Sequence, residues 1–229
     1  MARSIRSLAS ACVFATFTLA ISPGTISPEA NAQASYEVTP TIAIPKSHST
    51  WSLFLVCNPA WILQNGDQGI AGLFKQYKAF GDAIGPNNLA IWFWKKPGTP
   101  TADNTDVSRS STYCEKYKLL PSESPHVLVT TGYPDDAIPG DHFVVRLNGL
   151  DGQDSADALA KLTDQLLVTG LNQSEIDAAD RWRRTLAAVG SAISKTGCYF
   201  NKVSFSIKTG ALNAEIAHSP QSAEPGKGC

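Results

Sequence analysis

The chain has 229 residues, 43% of them hydrophobic and 17% charged, with a formal net charge of -1. Such a composition is globular and excludes a disordered or collagen-like chain. With 19 basic against 20 acidic residues, it carries no electrostatic footprint for nucleic acid or an anionic membrane surface.

Arg3 and Arg6 precede an apolar run over residues 8–21, and Ala32-Gln33-Ala34 closes the Pro/Gly/Ser-containing segment that follows. A positive start, a short apolar run and small residues flanking the cleavage position are the pattern of a signal peptide. The run falls short of the roughly 20 residues a bilayer span needs. The expectation is a signal peptide over 1–34 and an exported protein, periplasmic or extracellular, with no integral membrane segment after cleavage. Cleavage after Ala34 would leave 195 residues, with 17 basic, 19 acidic and four Cys: Cys57, Cys114, Cys198 and Cys229. An even Cys count in a secreted chain permits two disulfides, in any of three connectivities. A Cys198–Cys229 bond would tie down the tail.

After an N-terminal segment, 35–51, the run 52–56 reads as a buried strand, and Asn58, Pro59, Asn65 and Gly66 mark a loop. Residues 69–84 place Ile70, Leu73, Phe74, Tyr77, Phe80 and Ile84 at helical spacing, with Gly85-Pro86 as the stop. Residues 89–94 are apolar throughout, as in a strand covered on both faces, and Trp92 and Trp94 share one of those faces. The three elements make a βαβ unit. A helix over 107–119 follows, capped by Asp106. Then come a strand over 127–129, an exposed acidic loop over 133–141 and a strand over 143–147. A helix capped by Asp154 has Leu159, Leu162 and Leu166 as its core face. Ser174 with Asp177 resembles a capping box for a further helix, with Ala179, Trp182, Leu186, Val189 and Ile193 on one face. Arg181, Arg183 and Arg184 read as its solvated side. Alternation from Val203 to Ile207 and from Leu212 to Ile216 predicts a hairpin, and 220–229 a flexible tail.

In element order, residues 52–168 resemble the thioredoxin-like fold. Ser124-Pro125-His126 resembles the family's cis-proline entry into its third core strand. The resemblance implies an α/β three-layer core, a mixed sheet flanked by helices, over 52–170. A C-terminal helix and β-hairpin, 171–219, would pack on it as an extension. Redox-active members carry Cys-x-x-Cys where the first core strand meets the first helix, so that the helix N-terminus lowers the thiol pKa. Here the junction reads Cys57-Asn58-Pro59-Ala60, with Ala60 in place of the second Cys and a loop expected before the helix.

Two readings follow. The first is a non-catalytic binding module whose protein or peptide partner would meet a surface near Pro125 and His126. The second is a thiol-dependent oxidoreductase with Cys57 as a single nucleophile or with a distant resolving cysteine. Cys57 also has a plain reading as a structural half-cystine, and Cys114 as core-facing or disulfide-bonded. Among His48, His126, His142 and His218 no pair is spaced i,i+4, and no metal site or cofactor is expected. No phosphate loop, dinucleotide fingerprint or Gly-x-Ser-x-Gly elbow occurs.

Overall fold

Every residue of three strands is buried: β2 (Thr50–Leu55), β3 (Asn88–Phe93) and β4 (His126–Thr130). They form the centre of the sheet, as their unbroken apolar runs require. The computed structural model describes residues 35–39, 41–170, 177–196, 203–209 and 214–218. Residues 1–34, where a signal peptide is expected, Cys198, Cys229, Ser174 and residues 220–229 lie outside the described residues.

The remaining strands are β1 (Ser35–Val38), β5 (His142–Arg146), β6 (Ser204–Thr209) and β7 (Ala214–His218). The sheet runs in the order β1-β3-β2-β4-β5-β6-β7. β2 and β1 pair with β3 in parallel, and every pairing from β2–β4 onward is antiparallel. The N-terminal segment therefore contributes an edge strand that the sequence did not signal.

Two apolar cores make three layers. One face of the sheet, through Phe54, Trp92, Trp94, Val129 and Phe143, packs on α1 (Pro59–Ile84), α3 (Gly152–Val168) and α4 (Ala178–Thr196). The other, through Leu53, Leu55, Ile91, Phe93 and Leu128, packs on α2 (Val107–Tyr117). Tyr77 joins α1 to the sheet centre: its hydroxyl donates to Ser52 O at 2.6 Å and accepts from Ile91 N–H at 3.1 Å.

Three local expectations need correction. The loop expected over residues 58–66 is helix. Asn58 caps it by accepting from Ala60 N–H, and Pro59 occupies the first turn, where no N–H is needed. Trp61 and Ile62 are buried. The Asn65-Gly66 signal marks only a kink, at Gly66 with φ 59°. For α3 the cap is Asp151, accepting from Asp154 N–H, so the cap lies three residues before the expected one. On α4, Arg181 is buried, whereas Arg183 and Arg184 are exposed and pair with Asp180. The helix spacing turns Arg181 toward the same side as buried Thr185 and Val189. Asp177 Oδ1 accepts from Asp180 N–H, which gives this acidic residue a capping contact.

Candidate functional site

β2, α1 and the approach to β4 meet at Cys57. Its N–H and that of Asn58 both donate to Ser124 Oγ, at 3.1 and 3.3 Å. Ser124 is buried, and the Ser124–Pro125 peptide bond is cis. The carbonyls on either side of that bond are engaged. Ser124 O accepts from Gly149 N–H and Pro125 O from Leu147 N–H, both at 2.9 Å. One serine hydroxyl thus locks the start of α1 to the proline turn, and the end of β5 locks the turn from the other side.

Cys57 is bonded to Cys114 of α2 through a disulfide. The two residues are 7% and 4% exposed, so little of either sulfur is open to an attacking thiolate. The expected loop between Cys57 and the helix is absent: Cys57 lies one residue before the Asn58 cap. The donors a helix N-terminus would offer a thiolate are nevertheless committed. Pro59 has none, Ala60 N–H goes to Asn58 Oδ1, and Trp61 N–H goes to Asn58 O. As it stands, the corner holds a closed disulfide and satisfied donors, not an activated thiol.

His126 adjoins the proline in sequence, yet it is fully buried at the start of β4. Its Nε2 lies 3.1 Å from Leu120 O. A carbonyl can only accept, so Nε2 carries the proton. Nδ1 has no partner. Burial lowers its pKa to about 4. The ring therefore supports the turn from inside and offers no surface to a ligand. Pro125 is buried as well, whereas Leu63 in the first turns of α1 and Leu120 ahead of the proline turn are 79% and 55% exposed, with polar Gln64 and Ser122 exposed near them in sequence.

Sequence reasoning missed Ser124 and Asn58 as organising residues. Asn58-Pro59 was the available signal for the second, since a capping residue followed by Pro is how many helices start. Nothing in the sequence marks a serine that accepts two backbone donors from 66 and 67 residues away. Among the described residues no group of three or more His, Cys, Asp or Glu side chains could hold a metal ion. No helix among them is long and apolar enough to cross a membrane. No family model, curated protein or solved structure matches the chain.

Proposed function

We propose that this is an exported thioredoxin-like protein that works by binding a protein or peptide, without thiol chemistry, and that its C-terminal helix and hairpin extend that core. The observation that carries the reading is the state of Cys57. It is held in a disulfide to Cys114, beside a helix start whose donors are already committed. Ala60 stands where a dithiol site would have its resolving cysteine. Support for the fold assignment comes from the cis bond at Pro125 leading into β4 and from the mixed sheet with helices on both faces. Support for export comes from the leader pattern and from a disulfide, which persists in oxidising compartments. Leu63 and Leu120, exposed on α1 and ahead of the proline turn, are apolar side chains such a partner would meet.

A second reading is favoured by one observation: the distant cysteine that a dithiol cycle at Cys57 would need is Cys114, already bonded to it. The two readings separate on exchange with a small disulfide-containing peptide. A binding protein leaves the peptide's redox state unchanged. A thiol oxidoreductase turns it over, and loses that turnover in Cys57→Ser.

A further inference from the structure

Arg109, Thr112, Tyr113 and Lys116 recur on α2 at the spacing of one helix face. They line, with Pro134 and Asp135, a pocket of about 260 Å³. The opposite wall is the β4–β5 loop, residues 131–141, of which 133–141 were expected to be an exposed acidic loop. Its base is pinched. Thr131 N–H donates to Asp141 O, and a Cβ on Gly132 would lie 2.7 Å from Gly140 Cα. From that neck the loop is drawn onto α2. Tyr113 OH donates to Asp135 Oδ1, and Lys116 Nζ donates to the carbonyls of Pro134 and Asp136.

The side chains of this pocket keep unused hydrogen-bonding capacity of both signs. Arg109 spends its Nη groups on neutral carbonyls, Thr39 O at 2.7 Å and Ile42 O at 3.4 Å. Its guanidinium has about five N–H donors in all. Lys116 spends two of its roughly three donors on carbonyls. Neither pocket cation, Arg109 or Lys116, forms an ion pair with a carboxylate among the described residues. Asp135 Oδ1 accepts the Tyr113 proton, and its Oδ2 lies 3.2 Å from the Tyr133 hydroxyl, whose one proton is shared with Ile44 O at 2.9 Å. That leaves about two of its four lone-pair sites open. Two fixed cations and one fixed carboxylate therefore face a space slightly smaller than the roughly 300–1,000 Å³ of pockets that hold drug-sized molecules.

We propose that the pocket between α2 and the β4–β5 loop binds a small amino-acid-type zwitterion, its carboxylate on Arg109 and Lys116 and its ammonium on Asp135. Tyr113 and Pro134 supply apolar wall for the rest of the ligand. Its lining includes neither Cys57 nor Ser124, and the proposal does not depend on the reading given for that corner.

The test is an amide NMR titration of the oxidised full chain with three probes of one skeleton: L-phenylalanine, 3-phenylpropanoate and 2-phenylethylamine. Saturable shifts confined to the α2 and loop residues are expected with L-phenylalanine. Affinity should fall about tenfold or more for each single-charge probe, the usual loss when a charged hydrogen-bond partner is removed. Thr112 is exposed on the rim. Thr112→Glu should weaken L-phenylalanine binding by about tenfold through repulsion of its carboxylate. Absence of saturable shifts with L-phenylalanine, equal affinity for all three probes, or indifference to Thr112→Glu would each overturn the proposal.

Discussion

Cys57 and Cys114 are covalently joined across 57 residues of chain, and the same Cys57 gives its backbone N–H to Ser124 Oγ. One residue thereby fastens the end of β2 to α2 and to the approach to β4. This explains how a chain with few cysteines relative to its length still uses one bond to effect: it closes a long loop around the sheet centre.

Removing the disulfide should cost stability while preserving the fold. Closing a loop set by the 57-residue separation removes about 4 kcal/mol of unfolded-chain entropy, an upper figure. The double variant Cys57→Ser, Cys114→Ser should therefore unfold at a clearly lower denaturant concentration than the oxidised protein, with an unchanged far-ultraviolet spectrum. Identical midpoints would mean the bond does not form in the folded chain.

Tyr77→Phe should destabilise by roughly 1–3 kcal/mol, the cost of leaving buried polar groups unsatisfied. The hydroxyl is the partner of Ser52 O and of Ile91 N–H, both inside the sheet. Urea unfolding of the variant checks this. A loss near zero would show that the two strands close over the gap.

His126 should make stability fall with acid. Its folded pKa is lowered to about 4, from an ordinary 6.5, chiefly by burial. Above pH 6.5 the ring is neutral in both states and contributes nothing. Between 6.5 and 4 the unfolded chain takes up the proton and the folded chain does not, so the folded state loses stability as pH falls. The loss levels off below 4, after roughly 3 kcal/mol. His126→Gln should lack this component, so the stability difference between the two proteins should change between pH 7 and 4.5. Parallel pH profiles would refute it.

Much of this architecture was legible because it rests on apolar periodicity. Phe54, Trp92 and Leu159 fall in the core where their strands and helix place them. The Pro125 turn was legible as a local pattern. What escaped depended on partners distant in sequence. β1 pairs with β3 more than 50 residues away. The first turns of α1 are stabilised by Asn58 and by Trp61 Nε1 donating to Leu150 O, against the turn signal of Asn65-Gly66. The α2 pocket was missed because that helix was read only for its core side, through Cys114. The acidic loop is exposed over residues 135–138 as expected, and what escaped was its anchoring to α2 by Tyr113 and Lys116.

Gly132→Ala should loosen that loop. The added Cβ would meet the backbone of Gly140 at 2.7 Å, and backbone cannot step aside as a side-chain end can. A cost of about 1–3 kcal/mol is expected for such overpacking. Faster amide hydrogen exchange should be confined to the loop and the facing turns of α2. Wild-type exchange there would contradict the close approach.

The most direct test of a structural, non-catalytic Cys57 is the rate at which dithiothreitol reduces the Cys57–Cys114 bond in the folded oxidised protein, followed by alkylation and mass spectrometry. The account predicts reduction no faster than global unfolding, accelerating with denaturant as unfolding does. Rapid reduction in native buffer, with Cys57 alkylated ahead of Cys114, would contradict it and restore the thiol-enzyme reading.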